Sequence, residues 1–244
     1  MRMKIIRWIH TVYALFLFII LFIIAFPFFL IPIFFPKKFK WVGIINRLWG
    51  RILFPIAFVS YRIEYRGHVD RNKQYIFCPN HFSYLDIATM GLNPHPTIFV
   101  GKNDMQKIPL FGFMYRKLHI IVDRSKLKSR VATLRKSAEA IDAGKSLVIF
   151  PEGGIITEKD PVMSRFKDGA FRVAIEKQIP VVPVTIPFNW IILPPSQFLL
   201  HRHVMKLIFH EPVDTKGLTL DDVATLREKV FRIIDEELKI QLKV

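Results

Sequence analysis

The grouping with the most obvious chemistry is a histidine followed five positions later by an aspartate, in Pro79-Asn80-His81-Phe82-Ser83-Tyr84-Leu85-Asp86. Imidazole exchanges protons near neutral pH, and a carboxylate on one ring nitrogen leaves the other free to accept a proton. Two residues five apart on one helix stand ~140° from each other around its axis, so the pair cannot meet if both are helical. They can meet if a helix begins between them. Ser83 is a good N-cap, which puts Asp86 at N3, where its side chain reaches back toward the loop that carries His81. The same residues also read as a plain capping box after a strand that happens to end in histidine.

Two further loops could bind a ligand. Pro151-Glu152-Gly153-Gly154 follows the apolar run Ser146–Phe150, and two glycines beside a carboxylate allow a ligand close to the backbone. It is also ordinary turn chemistry. Arg124 ends Ile120-Ile121-Val122-Asp123-Arg124, a place suited to a phosphate or to a solvated Asp123/Arg124 turn. Cys78 is the single cysteine, which excludes an intramolecular disulfide framework and a thiolate metal cluster. It lies in a strand-like run with nothing nearby to activate it as a nucleophile. No Gly-x-Ser-x-Gly elbow offers a serine nucleophile. His81, His119 and Asp86 lack zinc-ligand spacing, so no metal is expected.

The elements that must position these residues follow from periodicity. Short apolar runs predict strands at Tyr61–Tyr65, Tyr75–Cys78, Thr97–Val100, Ile120–Val122, Leu147–Phe150, Val181–Ile186 and Lys206–His210. Between them, helical spacing appears at Tyr84–Leu92, Leu110–Lys117, Lys128–Ala143, Ala170–Lys177 and Leu220–Leu242. Strands alternating with helices predict an α/β fold, a mixed but mostly parallel sheet with helices on both faces. In such sheets, ligand sites lie in loops beyond the carboxyl ends of strands, where the three loops above fall.

The first 60 residues differ in kind. Nine basic residues precede the first acid, Glu64, and 11 of the 23 phenylalanines fall before position 61. The net charge of +16 is therefore concentrated beside apolar and aromatic residues, which suits anionic membrane lipids better than nucleic acid. Thr11–Pro36 carries no charge at all. As one helix, its 26 residues would reach ~39 Å, but Pro27 and Pro32 predict an interruption, and Thr11–Phe26 alone reaches ~24 Å. Basic clusters on both flanks (Arg2/Lys4/Arg7 and Lys37/Lys38/Lys40) argue against a single span, which would carry one cluster across. The expectation is a two-helix membrane anchor over 1–60 that enters and returns, followed by a globular domain over 61–244. The apolar region is too long for a cleaved signal peptide.

Taken together and in this order, the loops resemble the glycerolipid acyltransferase family, in particular bacterial lysophosphatidate acyltransferases. Asn80-His81-Phe82-Ser83-Tyr84-Leu85-Asp86 is similar to its His-x4-Asp motif, and His119-Ile120-Ile121-Val122-Asp123-Arg124 to its second block. Phe150-Pro151-Glu152-Gly153-Gly154-Ile155 is similar to its Phe-Pro-Glu-Gly-Thr-Arg block, and Ile179–Pro187 to its fourth. Gly101-Lys102 and Phe166–Phe171 are also family-like.

The resemblance implies that His81, held by Asp86, deprotonates the 2-hydroxyl of 1-acylglycerol 3-phosphate. The alkoxide would attack an acyl thioester on coenzyme A or acyl carrier protein, giving phosphatidate for phospholipid synthesis with no bound cofactor. It further implies that Lys102, Arg124 and the Glu152-Gly153-Gly154 loop hold the acceptor, at the cytoplasmic face of the inner membrane. A sister enzyme with another acceptor (glycerol 3-phosphate or an amino-acid lipid) and a non-catalytic membrane-binding module remain alternatives. The chain departs from the family where Gly154-Ile155 replace Thr-Arg, which removes a cation near the acceptor phosphate. Arg165 or Lys167 is expected to replace it.

Overall fold

The computed structural model describes residues 2–102, 106, 108–123, 127–155 and 161–243. Among these, a seven-stranded sheet is formed by β1 (Tyr61–Tyr65), β2 (Ile76–Pro79), β3 (Thr97–Lys102), β4 (Ile120–Val122), β5 (Ser146–Ile149), β6 (Val181–Thr185) and β7 (Met205–Phe209). Their order is β1-β7-β6-β2-β5-β3-β4, and every pair is parallel except β6–β7. All seven strands lie where the sequence places them, with end shifts of one or two residues.

Alternation along the strands explains why both faces are covered. Ile76 and Cys78, Leu147 and Val181 point into one core, where they meet α5 (Leu127–Asp142), α6 (Gly169–Glu176) and α8 (Val223–Leu242) through Ile141, Phe171, Val230 and Ile234. The alternate residues Phe77, Val148 and Val182 point the other way. There they meet Leu53 and Phe54 of α2 (Lys40–Ile56) and, beyond these, α1 (Arg2–Phe34).

Residues 1–60 contain two helices, but they are not divided where the prolines predict. α1 is continuous over 33 residues, with Pro27 and Pro32 inside it, and about 50 Å long. The prolines fall where Phe22, Phe26 and Phe29 pack on Met114 and Leu118 of α4 (Phe111–Leu118), so side-chain contact supports the turns that lack a backbone hydrogen bond. The chain reverses at Pro36–Lys38 instead, a short 3₁₀ turn. α2 then runs back along α1, which pairs Phe18 with Trp49 and lets His10 Nε2 donate to Ala57 O at 2.8 Å. On another side of α2, Gly43 and Gly50 allow close packing on the segment before β3, since a Cβ there would stand 2.5 Å from Pro96 and 2.9 Å from Leu92.

Candidate active site

The His-x4-Asp pair closes as its spacing requires. His81 lies in the bend after β2, and Asp86 in the first turn of α3 (Leu85–Met90), so the chain turns between them. His81 Nδ1 stands 3.0 Å from Asp86 Oδ2, and donating to it leaves Nε2 as the proton acceptor. The same oxygen accepts the Phe82 and Ser83 N–H groups, both at 2.8 Å. The other oxygen, Oδ1, accepts Asn189 Nδ2 at 2.9 Å. Four donors thus converge on a fully buried carboxylate, which fixes its orientation and that of the imidazole. The helix begins one residue later than predicted. Tyr84 occupies the N-cap, while Ser83 Oγ accepts the Leu85 N–H at 3.2 Å and donates to Leu193 O at 2.7 Å.

Glu152 grips the other side of His81. Its Oε1 accepts the His81 backbone N–H at 2.7 Å, and its Oε2 accepts Ser164 N–H at 2.9 Å and Ser164 Oγ at 3.0 Å. Burial pushes the Glu152 carboxyl above the usual range, and the hydrogen bonds from Ser164 and His81 oppose that rise. Phe150 stacks on the His81 ring with centroids 4.1 Å apart. Asn80 ties the end of β2 to the strand beside it, giving Nδ2 to Ile186 O at 3.0 Å and taking Ile186 N–H at 2.7 Å.

The expected phosphate ligands separate in space. Gly153 turns with φ +84°, and a Cβ there would stand 2.5 Å from Lys167 Nζ, so Lys167 lies over the glycine loop. Gly154 follows, half-buried, in the same loop. Arg165 lines a cleft with Phe166, Arg227, Glu228 and Phe231, against α8. Lys102 closes β3 opposite Val122, and its side chain, like all of Arg124, lies outside the described residues.

Other titratable groups are set aside by their surroundings. Cys78 is buried, and burial pushes its thiol far up. His119 has its Nδ1 taken by the Phe99 N–H at 3.1 Å, and burial lowers its pKa to about 4. Asn189 and Ser164 belong to the site, yet nothing in the sequence singles them out. Asn189 opens the short helix α7 (Asn189–Ile192), which no apolar periodicity predicts.

Geometrically this is a general-base site: an oriented imidazole at the carboxyl edge of a mostly parallel sheet, beside a glycine loop and a lysine. The family model described as Acyltransferase matches residues 62–187, which include every residue of that arrangement except Asn189. The chain belongs to the acyltransferase family. It is 33% identical over 161 residues to the 1-acyl-sn-glycerol-3-phosphate acyltransferase of Saccharomyces cerevisiae, covering 65% of this chain and 53% of that protein. It is 28% identical to the Haemophilus influenzae protein of the same name, covering 81% and 84%. The chain spans about half the length of the yeast and chloroplast relatives it matches. Among solved structures, the 1-acyl-sn-glycerophosphate (LPA) acyltransferase of Thermotoga maritima has a TM-score of 0.81 and 25% identity, over 100% of this chain and 98% of that one.

Proposed function

We propose that the protein transfers an acyl group from a thioester to the 2-hydroxyl of 1-acylglycerol 3-phosphate, making phosphatidate. The observation that carries this reading is the His81–Asp86 pair, with Nδ1 committed and Nε2 left for substrate, on a family fold shared with enzymes named for that reaction. His81 Nε2 takes the proton of the 2-hydroxyl as its oxygen bonds to the thioester carbonyl carbon. The tetrahedral intermediate then breaks its C–S bond, and the imidazolium returns the proton to the departing thiolate. Asp86 stabilises the imidazolium between these steps. No covalent acyl-enzyme is required, in keeping with the burial of Cys78.

Glu152 acts through His81. Both of its oxygens hold protein donors, so its part is positioning, and the glycine loop rather than the carboxylate meets the acceptor. A phosphate monoester carries close to two negative charges, and Lys167, over Gly153, is the cation placed to stand in for the missing arginine of the third motif. Lys102 and Arg124 complete the set, on the strength of the motif alone. Either coenzyme A or acyl carrier protein serves as donor carrier.

Residues 1–60 anchor the site at the membrane. The inner face of α1 lies against the domain from Ala14 to Ile33, while Ile5, Ile9, Val12, Phe16, Ile19 and Ile23 are exposed. On α2, Trp41, Ile44, Leu48, Ile52 and Ile56 form an exposed stripe, with Lys40, Arg47 and Arg51 beside it. A helix hairpin with an apolar outer face and a basic border suits the interface of an anionic leaflet, with both ends on the cytoplasmic side. The test is acyl transfer by the purified chain in phosphatidylglycerol–phosphatidylethanolamine vesicles, with lysophosphatidate or glycerol 3-phosphate as acceptor and acyl-coenzyme A or acyl-carrier protein as donor. Phosphatidate from lysophosphatidate is expected. Its absence with both donors would overturn the reading.

A further inference from the structure

The segment from Leu193 to Leu200 joins the anchor helix to the catalytic loop. At one end, Ser83 Oγ donates to Leu193 O at 2.7 Å, and at the other, Leu200 N–H donates to Thr11 Oγ1 of α1 at 2.9 Å. Phe198 lies between them with φ +50°, and its ring packs on Tyr84 with centroids 5.3 Å apart. Tyr84 is 49% exposed and Phe198 54% exposed.

Folding alone does not account for a phenylalanine here. A left-handed backbone crowds the Cβ of any bulky residue, and glycine or asparagine fits it better. The strain is not offset by burial, because the neighbours Leu199 and Leu200 are the buried residues and the Phe198 ring is mostly in solvent. A strained residue that contributes little to the core marks a functional position. Its neighbours indicate which function. Tyr84 is three residues from His81, and Thr11 is on α1 beside the exposed Val12 and three residues from the exposed Trp8. The two rings therefore sit on the segment that is bonded at one end to α1 and at the other to the turn between His81 and Asp86.

We propose that Tyr84 and Phe198 form an aromatic lip that dips into the boundary between headgroups and acyl chains and passes the acyl chain of a bilayer-resident acceptor toward His81. Aromatic rings with one wet and one apolar side settle at that depth. The inference rests on the lysophospholipid-acceptor reading above.

Two measurements test it. Phe198→Cys can be labelled selectively with a polarity-sensitive fluorophore, because the native Cys78 is buried. Its emission should shift to the blue on adding phosphatidylglycerol–phosphatidylethanolamine vesicles, as should a label at Ile19→Cys on α1, while one at Ile240→Cys on α8 should not. A shift at position 19 without one at 198 would overturn the proposal. In kinetics, Phe198→Gly removes the ring and relieves the backbone, so the melting temperature should rise by about 2–4 °C. The kcat/KM for long-chain lysophosphatidate in vesicles should fall at least tenfold, and that for a dispersed short-chain acceptor by less than threefold. Tyr84→Ala should show the same split without the thermal gain. Equal losses on both acceptors, or undiminished use of the bilayer acceptor, would overturn the lip. A wild-type protein that shifts both labels but acylates neither acceptor would overturn the acceptor reading, and with it the assignment of a lysophospholipid to the lip.

Discussion

Replacing Glu152 by glutamine tests the division of labour in the site, because the substitution keeps the shape and changes one acceptor into a donor. Three donors meet the native carboxylate: His81 N–H at 2.7 Å, Ser164 N–H at 2.9 Å and Ser164 Oγ at 3.0 Å. If the amide oxygen turns to Ser164, the amide NH₂ opposes the His81 N–H. If it turns to His81, the Ser164 N–H loses its acceptor. Either way one buried backbone N–H is left unpaired, at about 1–3 kcal/mol. Part of that is offset because burial already disfavours the ionised carboxylate. The net loss of stability should be about 1–2 kcal/mol, or roughly 2–8 °C in melting temperature for a domain of this size. The kinetic effect is separate. Loss of the tether on the His81 backbone misaims Nε2, and a small misplacement of a general base costs about 10- to 100-fold in kcat, or roughly 1.4–2.7 kcal/mol. The KM for lysophosphatidate should stay within about twofold, since neither Glu152 oxygen is available to the acceptor. Initial rates over a range of acceptor at saturating donor separate the two constants. A raised KM with unchanged kcat would refute this reasoning and put the carboxylate in the acceptor site, as the motif alone suggested.

The other predictions concern proton transfer, phosphate binding, topology and pH. His81→Ala should abolish nearly all transfer in a folded protein, and Asp86→Asn should lower kcat by about 10²-fold or more, because an amide still orients Nδ1–H but does not stabilise the imidazolium. Lys167→Ala should reduce kcat/KM for lysophosphatidate by about 10- to 150-fold, the range for a lost hydrogen bond to a charged group, while Arg165→Ala should stay near wild type because Arg165 faces α8. The reverse ranking would move the phosphate to the α8 cleft. Cysteines at Lys4 and Lys38 should both react with an impermeant reagent from the cytoplasmic side, whereas labelling from opposite sides would restore a single span. His119 has a depressed folded-state pKa of about 4 against 6.5, so its contribution to stability is complete above about pH 6.5 and is lost as the pH falls toward 4. His119→Phe should flatten the acid limb of the unfolding midpoint over that window.

What could be read in the sequence was whatever depends on neighbours in the chain. Alternation fixes strands such as Tyr61–Tyr65, whose bounds agree fully, and His81 and Asp86 meet because the turn that joins them is local. What escaped depends on distant partners. Asn189 reaches Asp86 across 103 residues, and its amide could have served any surface loop. Glu152 stands out in the sequence, but its contacts do not, since they come from Ser164, twelve residues on, and from a backbone N–H that no motif displays. Lys167 and Arg165 were equivalent as charges in one loop. Phe166 between them is buried against Phe171 and Phe231, Arg165 lines the cleft beside it, and the Lys167 side chain is over Gly153. Pro27 and Pro32 misled for a related reason: helix propensity says that they break a helix, and packing against α4 holds one together.

The same interplay decides how α1 and the site are coupled. An apolar helix needs no polar residues to sit in lipid, yet α1 spends His10, Thr11 and Tyr13 on bonds to Ala57, Leu200 and Ile56. Two of these hold the end of α2, whose Leu53 and Phe54 enter the core beneath Phe77 and Val148. β2 carries Phe77 toward that core and leads directly into Asn80 and His81. The remaining bond, from Leu200, fixes the loop whose other end holds Ser83. The exposed apolar surface of α1 and the imidazole are therefore connected twice, once through the core and once through the loop. The first route runs through the buried core, and the second through part-buried hydrogen bonds at the two ends of the loop. On the proposed function, an acceptor that stays in the bilayer must meet a base held at a constant depth, and a flexible tether between the helices and the site could not provide that. A rigid double connection does, which accounts for polar side chains on a helix whose composition otherwise suits hydrocarbon.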